Sequence, residues 1–421
     1  MTLGSELRAF EASVLRSSRC VDGERLRRWL EADGARAGLA PPRGPVGAFP
    51  AHGEPKRPLA HQSEVLAALE ANMPAALVGM PTGAGKTFTA VRHVLAALEA
   101  PAIRRVLWLA PQTLLLEQAE AEVHAAWWTS ARGYDLTVTQ RESAPDRVTE
   151  RLLAMVTYQW MLRHHAEQEK YDLVVADEAH YLEDNQFGGL LKTLRAQGAT
   201  AIGLSATPGR RASSELKHLV ELFDGVLLVP RTLGTHPVEE LRKRGVYASI
   251  EEVHLSTGRA RGERGPLACA HDPRRLDAVV GFVTSRPTTD RVLLFCHSLA
   301  HCHVVAAALW SAGMSVRVVG SHATDSANRA AVEAFRHGQV TCLINVRYLA
   351  VGADFPFANV AVLSVPLGSP IMFEQVVGRV ARGPSVGGSE RSVVADFDGH
   401  LASHGGVKSY ARFWEGWWVA G

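Results

Sequence analysis

The sequence has few features that would cross-link the chain or hold it in a membrane. Its five cysteines are an odd number scattered at positions 20, 269, 296, 302 and 342, which does not suggest a disulfide framework. No apolar run approaches the roughly 18 residues that a bilayer-spanning helix requires. The first residues are amphipathic and charged, without the apolar segment of a signal peptide. We therefore expect a soluble, cytoplasmic protein.

A strong excess of either charge is also missing. The formal net charge is +2, with 47% hydrophobic and 21% charged residues, which is ordinary for a globular protein. This total neither favours nor excludes nucleic acid, because a basic groove can lie within a balanced charge. A chain of 421 residues is too long for one ordinary core, so two or three domains are expected.

The order of apolar strands and helical patterns predicts the architecture. Residues 1 to about 40 look helical, residues 40–58 form a proline- and glycine-rich linker, and a charged break falls at about 231–275. Continuous apolar runs between helices indicate parallel sheets covered on both faces. The predicted strands are Ala75–Gly79, Val106–Ala110, Leu173–Ala176, Ile202–Leu204, Val292–Phe295, Val316–Val319, Cys342–Asn345 and Val360–Val365. The prediction is an α/β chain with an N-terminal helical extension (1–50) and two doubly wound parallel-sheet domains in tandem (51–232 and 233–421).

The stretch LVGMPTGAGKT, residues 77–87, follows a predicted strand and opens a predicted helix. It nearly fits the phosphate-binding pattern, except that Met80 stands where the first glycine is usual. Gly83 and Gly85 let backbone N–H groups turn inward to phosphate oxygens, and the helix N-terminus adds partial positive charge. Lys86 would reach the β- and γ-phosphates and the Thr87 hydroxyl would bind Mg²⁺. The alternative is a glycine-rich structural turn.

A second apolar strand ends in two neighbouring carboxylates within YDLVVADEAH, residues 171–180. Ligands of open α/β sheets bind at the carboxyl edge, where this strand would present Asp177 and Glu178. Asp177 would hold Mg²⁺, and Glu178 would orient and deprotonate the attacking water. An exposed acidic turn is the alternative.

Four motifs in order, MPTGAGKT, DEAH, LSATP (204–208) and QVVGRVARG (375–383), resemble those of superfamily 2 helicases and translocases. The resemblance runs from about Arg57 to Phe397 and is greatest to the type III restriction-subunit and RadD-like group. It implies two RecA-like domains, ATP and Mg²⁺ as cofactors, and a nucleic-acid partner. Members often carry a residue other than glycine at the position of Met80.

The resemblance also assigns roles to further residues. Gln62, in RPLAHQ, would recognise adenine, because an amide can bond both edges of that base; an exposed residue at a helix start is the alternative. Strand-binding motifs place Thr113 and Thr157 on nucleic-acid phosphates, and Arg210 and Arg211 directly follow SATPG. The remaining residues expected at the nucleotide are Arg57, Pro81, Thr82, Ala84, His180, Gly352 and Asp354.

In the arginine motif, Arg379 and Arg382 are expected on one face of a predicted helix, with Gln375 as part of the same catalytic group. They resemble the arginine fingers that stabilise charge on the departing γ-phosphate. An ordinary solvated pair is the alternative. The family pattern is not followed at Arg347–Val351, which leaves strand contacts there in doubt.

Three weaker signals have structural alternatives. Cysteines and histidines at 296–303 do not have the usual zinc spacing, so packing is favoured. The tryptophans at 127, 128, 414, 417 and 418 would stack on bases or pack helices. The basic clusters at 27–28 and 242–244 would be solvated faces or nucleic-acid contacts.

The sequence thus predicts a nucleic-acid-dependent ATPase that binds nucleotide between its two domains and moves along or unwinds a strand. DNA is favoured over RNA on resemblance alone. The alternatives are an RNA helicase, or the motor subunit of a restriction or defence complex without unwinding of its own. No nuclease carboxylate cluster with a paired lysine is evident. The N-terminal extension is a candidate docking element for a protein partner.

Overall fold

The computed structural model describes residues 3–37, 57–71, 74–128, 134–140, 151–164, 170–183, 185–206, 213–257, 265–346, 355, 357–367, 370–397 and 419–420. The chain divides into two compact units, and each unit contains a terminal segment of the chain. One unit comprises residues 48–241 and 408–421, and the other comprises 1–47 and 242–407. The first is called the loop unit, because it contains the glycine-rich loop, and the second the arginine unit.

The chain begins with the helix α1 (Leu3–Phe10), a π-helical turn (Glu11–Leu15) and α2 (Gly23–Ala37). The buried side chains of this segment include Phe10, Val14 and Trp29. A helix of mixed polarity buries its apolar stripe against another element, and here that element lies in the arginine unit.

The loop unit contains a twisted sheet with helices along the chain between its strands. Its strands are β1 (Ala75–Gly79), β2 (Arg105–Ala110), β3 (Leu136–Gln140), β4 (Arg151–Thr157), β5 (Leu173–Ala176), β6 (Thr200–Ser205) and β7 (Val226–Leu228). They lie in the order β7-β1-β6-β5-β2-β4-β3, and their pairings are parallel. The helices are α3 (Ala60–Leu69), α4 (Lys86–Ala97), α5 (Thr113–Trp128), α6 (Tyr158–Arg163), α7 (Asn185–Ala196), α8 (Ser213–Leu222) and α9 (Pro237–Lys243).

The central strands of this sheet are buried over their whole length. All five residues of β1 and all four of β5 are buried. Both faces are therefore covered, which is why these strands read as continuous apolar runs instead of alternating ones.

The arginine unit has a second parallel sheet. Its strands are β8 (Ser249–His254), β9 (Val292–Phe295), β10 (Val316–Val318), β11 (Cys342–Asn345), β12 (Val360–Leu363) and β13 (Arg391–Asp396), in the order β10-β11-β9-β12-β13-β8. The helices are α10 (Pro266–Ala270), α11 (Pro273–Thr284), α12 (Leu299–Ser311), α13 (Asp325–Arg336) and α14 (Pro370–Val380).

The last strand, β14 (Val419–Ala420), belongs to the loop unit, where it pairs parallel with β7. The predicted α/β class with two doubly wound parallel sheets is confirmed.

The N-terminal helices pack on α12. Phe10, Trp29 and the buried residues of α12 belong to one hydrophobic cluster. Polar contacts fix the position: Trp29 Nε1 donates to His303 Nδ1 at 3.2 Å, and Ser13 Oγ lies 2.6 Å from His271 Nδ1. In addition, Ser18 Oγ donates to Asp277 Oδ1 at 2.8 Å. The predicted helical extension is thus a layer of the arginine unit.

Burial on all sides explains the composition of α12. All ten residues from Ala300 to Leu309 are buried, and the favoured packing role of its histidines and cysteine matches this position. Within the described residues, no histidine, cysteine and carboxylate cluster is arranged to hold a metal ion. No described helix is both long and apolar enough to span a bilayer.

Candidate functional site

The glycine-rich loop lies between β1 and α4, and two of its glycines adopt conformations that other residues avoid. Gly83 has φ 94° and Gly85 has φ 89°, in the left-handed region where a Cβ atom is strained. Lys86 is the first residue of α4 and is buried, with 9% of its surface exposed. Its Nζ donates to the carbonyl oxygen of Met80 at 3.2 Å. The lysine therefore lies folded across its own loop.

The position of Met80 explains why glycine is not needed there. The backbone of Met80 does not adopt a positive φ, and its side chain is fully buried. Its backbone N–H donates to Ser205 O, at the end of β6, at 3.2 Å. Met80 is therefore a core residue whose main chain joins the loop to the SAT segment.

Two neighbouring side chains of α3 hold the outer side of the loop. Gln62 Nε2 and His61 Nε2 each lie 2.9 Å from the carbonyl oxygen of Ala84, to which both donate. In a trans peptide the C=O and the following N–H point in opposite directions. Fixing the carbonyl of Ala84 therefore fixes the opposite direction of the Gly85 N–H.

Both the oxygen and the nitrogen of the Gln62 side-chain amide form hydrogen bonds within the protein. Its Oε1 accepts from Leu59 N at 2.9 Å while its Nε2 donates to Ala84. An amide has two N–H bonds and two oxygen lone pairs, so one of each remains for a ligand. Its role towards adenine stays a prediction, as does that of Arg57, which is exposed at the approach to α3.

The carboxylate pair follows β5 in a strained turn. Asp177 and Glu178 are 3% and 6% exposed, and Glu178 has φ 48°, which is unusual for a residue other than glycine. Asp177 Oδ1 accepts from Glu178 N at 2.9 Å, and Asp177 N donates to Leu109 O at 2.8 Å. His180 is buried, and its Nδ1 lies 3.4 Å from Glu178 Oε2.

Sheet topology brings these segments to one edge. The loop follows β1, Ser205 ends β6 and the carboxylates follow β5, and these three parallel strands are neighbours in the order β1-β6-β5. Parallel strands present their carboxyl ends at the same edge. The loop, the SAT serine and the carboxylate pair are thus gathered at the carboxyl edge of one sheet.

The chemistry of this edge suits a nucleotide with Mg²⁺. The loop offers backbone N–H groups at the start of a helix and a lysine, which are donors for phosphate. Carboxylate oxygens and a hydroxyl, from Asp177 and Thr87, are the ligands that Mg²⁺ prefers. A Cβ atom at Gly85 would lie 2.2 Å from Gln62 Nε2, so a side chain there would displace the Gln62 amide and would be held at a φ of 89°.

The two threonines predicted to contact nucleic acid begin helices. Thr113 is the first residue of α5. Thr157 is the N-cap of α6, and its Oγ1 accepts from Trp160 N at 3.2 Å. This hydrogen bond gives the Thr157 hydroxyl a capping role, and the predicted phosphate contacts of both residues remain untested.

In the arginine unit, one expectation about the arginine motif is wrong. Helix α14 ends at Val380, so it contains Gln375 and Arg379 but not Arg382. Arg382 forms an antiparallel bridge with Tyr247. The helix ends there because the chain turns into main-chain pairing: Ala248 N donates to Ala381 O and Gly383 N donates to Val246 O. All three motif side chains, Gln375, Arg379 and Arg382, are buried.

Some predicted residues lie outside the described part of the chain, namely Arg210, Arg211, Gly352 and Asp354. Two other residues with a place at the site were missed by the sequence argument. They are His61, on the loop carbonyl, and Tyr158, whose hydroxyl donates to Asp177 O at 2.9 Å. The only sequence signal for either is its position next to a motif residue, Gln62 or Thr157.

The comparisons with known proteins agree with this geometry. Residues 56–210 match the family model "Type III restriction enzyme, res subunit", and residues 274–384 match "Helicase conserved C-terminal domain". No curated protein matches the chain.

Several solved structures are similar to this chain. The ATP-dependent type ISP restriction-modification enzyme LlaBIII bound to DNA is 17% identical, with a TM-score of 0.59, over 86% of this chain and 29% of that one. Dbp5 of S. cerevisiae bound to RNA and ADP BeF3 is 16% identical, with a TM-score of 0.62, over 94% and 93%. A fragment of a putative HsdR subunit of a type I restriction enzyme from Vibrio vulnificus YJ016 is 19% identical, with a TM-score of 0.57, over 81% and 64%. At these identities the structural likeness shows the fold, and this chain spans less than a third of the length of the LlaBIII chain.

Proposed function

The chain belongs to the superfamily 2 helicases and translocases, and from this premise we propose that it hydrolyses ATP to move along a nucleic-acid strand. One observation carries the proposal. A phosphate-type loop and two buried carboxylates lie at the same edge of a parallel sheet, after the strands β1 and β5 that lie on either side of β6.

In this proposal the residues of the loop unit divide the work of hydrolysis. Backbone N–H groups of the loop and the Lys86 ammonium bind the phosphates, and Thr87 and Asp177 hold Mg²⁺. The metal, when bound, neutralises charge that develops on the phosphate oxygens. Glu178 orients the attacking water and accepts its proton.

The arginine unit contributes Arg379 and Arg382, with Gln375 beside them in sequence. We propose, from the family resemblance, that these guanidinium groups stabilise charge on the departing γ-phosphate. Hydrolysis would then depend on the meeting of the two units, which is how chemistry is coupled to motion.

Two substitutions test the hydrolytic proposal. Lys86→Ala and Glu178→Gln should each lower kcat for ATP by about 100-fold or more, since each removes a group that acts in the transition state. Lys217→Ala and Glu221→Gln, at exposed positions of α8 in the same unit, are the matched controls. Wild-type turnover in either test variant would contradict the proposal.

We favour DNA over RNA because of the likeness to restriction enzymes. Stimulation of ATPase activity should be measured with single-stranded DNA, duplex DNA and single-stranded RNA of the same sequence. Stronger stimulation by RNA would reverse the preference and favour an RNA helicase, which the likeness to Dbp5 also allows.

A second candidate function is that of a motor without stand-alone unwinding. It is supported by the match of residues 56–210 to a restriction-enzyme subunit. A strand-displacement assay run beside a triplex-displacement assay separates the two functions. A helicase releases a strand from the duplex, whereas such a motor displaces only the third strand.

We also propose that a protein partner binds the outer face of the N-terminal helices. The apolar side of these helices is already packed within the arginine unit, and Arg27 and Arg28 are exposed. A pull-down should compare the wild-type chain with the Arg27→Glu, Arg28→Glu double variant, which leaves the buried face intact.

A further inference from the structure

Tyr158 links the end of β4 to the turn after β5 that contains Asp177 and Glu178. It is the first residue of α6, directly after β4, and its side chain is fully buried. Its ring is stacked on that of Tyr181, with centroids 6.5 Å apart, and is tilted against Phe187 at 5.2 Å. Both Tyr181 and Phe187 follow the carboxylate pair in the chain. The Tyr158 ring is therefore held by the segment that comes directly after Asp177 and Glu178.

The hydroxyl of Tyr158 holds one end of a single peptide unit. It donates to the carbonyl oxygen of Asp177 at 2.9 Å. The N–H at the other end of the same peptide, that of Glu178, donates to Asp177 Oδ1 at 2.9 Å. The peptide between the two carboxylates is therefore held at both ends, by Tyr158 on one side and by the carboxylate of Asp177 on the other.

This peptide carries backbone strain. Glu178 has φ 48°, a conformation that costs a residue with a Cβ atom and that persists only where its surroundings enforce it. The next fixed point is the Glu178 carbonyl, which accepts from Tyr181 N at 2.9 Å. Rotation of the 177–178 peptide would relieve the strain and redirect both carboxylates.

We propose that Tyr158 is a positioning residue for hydrolysis, whose hydroxyl holds the 177–178 peptide so that Glu178 faces the attacking water. The inference rests on the proposed function and extends it to a residue that does not touch the nucleotide. Tyr158 acts through Glu178, so its loss alters the chemical step more than nucleotide binding, which depends on the loop.

The hydroxyl stays protonated over the whole working range of pH, as a donor must. Burial raises the pKa of Tyr158 well above its ordinary value of 10, and the nearby Asp177 and Glu178 carboxylates raise it further. Because a carbonyl oxygen can only accept, the hydrogen bond runs from the tyrosine to the Asp177 carbonyl.

The test compares Tyr158→Phe with Tyr134→Phe. Tyr134 also donates its hydroxyl to a main-chain carbonyl of the loop unit, Leu95 O at 2.7 Å. That carbonyl lies nine residues along α4 from Lys86, roughly 13 Å at the rise of a helix. Tyr158→Phe should lower kcat about tenfold and change KM for MgATP less than twofold, while Tyr134→Phe leaves both unchanged.

Three further measurements extend the test, and the first of them keeps the inference falsifiable if Tyr158→Phe folds poorly. Tyr158→4-aminophenylalanine keeps an N–H donor at the same place and should retain kcat. Hydrogen exchange should be faster for the peptide covering 177–183 in Tyr158→Phe but not in Tyr134→Phe. The binding of N-methylanthraniloyl-ADP should be unchanged in all three variants.

The outcomes separate the inference from the proposed function. An unchanged kcat in Tyr158→Phe, an equal loss in Tyr134→Phe, or a loss in the 4-aminophenylalanine variant overturns the role of Tyr158 and leaves the ATPase standing. A wild-type chain that hydrolyses no ATP with any nucleic acid overturns the proposed function, while hydrogen exchange still reports whether the hydroxyl holds the turn.

Discussion

Met80 shows why the glycine-rich loop needs no glycine at position 80. The loop requires left-handed backbone at Gly83 and Gly85, and position 80 has no such requirement. What position 80 contributes is a main chain that binds Ser205 and Lys86, and a side chain in the core. A buried methionine meets all of these conditions.

Met80→Ala should therefore destabilise the protein without improving nucleotide binding. Truncating a fully buried methionine costs about 2–5 kcal/mol of the free energy of unfolding. Urea denaturation measures that cost, and KM for ATP in the folded fraction should stay within about twofold. A large fall in KM would mean that Met80 obstructs the loop.

Gly85 is a position at which a single methyl group should weaken nucleotide binding. Gly85→Ala would place a Cβ atom 2.2 Å from Gln62 Nε2 and hold alanine at φ 89°. We expect weaker nucleotide binding, because Gln62 Nε2 must then move away from the Ala84 carbonyl that it holds.

Gly198→Ala is the control for Gly85→Ala. Gly198 has φ 104° but no atom near the added Cβ, so the substitution adds backbone strain of about 1–2 kcal/mol without a clash. Both variants should lose stability, and binding of fluorescent ADP should fall only in Gly85→Ala. Equal loss of binding would point to backbone strain and not to the contact with Gln62.

At the scale of elements, α12 depends on the N-terminal helices that pack on it. Its histidines lie beneath α1 and α2 and stay neutral there. Burial lowers the pKa of His303 from 6.5 to about 4 and that of His301 to about 3. Nearby His322 lowers the pKa of His303 further, and Asp33 acts in the opposite sense on His322. The neutral Nδ1 of His303 is the acceptor for Trp29.

The free energy of unfolding should accordingly fall as pH decreases from about 6.5 to about 4. In that window the unfolded chain binds a proton that His303 in the folded chain does not. The contribution of neutral His303 to the free energy of unfolding is therefore complete above pH 6.5 and is lost as the pH falls to about 4. Urea midpoints at several pH values should show a smaller slope in His303→Gln than in the wild type. His337→Gln, at a side chain that is 69% exposed, is the control and should keep the wild-type slope.

The elements around the site were predictable to different degrees. Continuous apolar strands followed by glycines or carboxylates are local signals, so β1 and β5 with their loops could be read from the sequence. The end of α14 could not be predicted from the sequence. Arg382 lies beyond the helix because its main chain pairs with that of Tyr247, 135 residues earlier in the chain. The contacts of His61 and Tyr158 likewise depend on carbonyls brought close only by the sheet.

At the scale of the whole molecule, the two units are interleaved along the chain. The chain passes from one unit to the other at 47–48, at 241–242 and again at 407–408. A simple tandem arrangement has one such passage. An amphipathic N-terminal helix shows that it has an apolar face to bury, but not which unit buries it, so this arrangement was not evident from the sequence.

Deletion of residues 1–37 should destabilise the arginine unit selectively. It would expose the side of α12 that packs on Phe10, Val14 and Trp29. Hydrogen exchange should become faster in α12 and β9 and remain unchanged in β1 and β6 of the loop unit. Faster exchange throughout the chain would contradict the assignment of these helices to one unit.

The interleaving also has a consequence for the time course of biosynthesis. The helices α1 and α2 leave the ribosome well before α12, on which they pack and which ends only at Ser311. At 5–20 residues per second, they wait roughly 10–50 s with their apolar face uncovered. The sheet of the loop unit, in turn, receives its last strand only when Val419 and Ala420 have been made. Nascent chains of this protein should therefore depend on chaperones that shield the apolar face of α1 and α2 until α12 has been made.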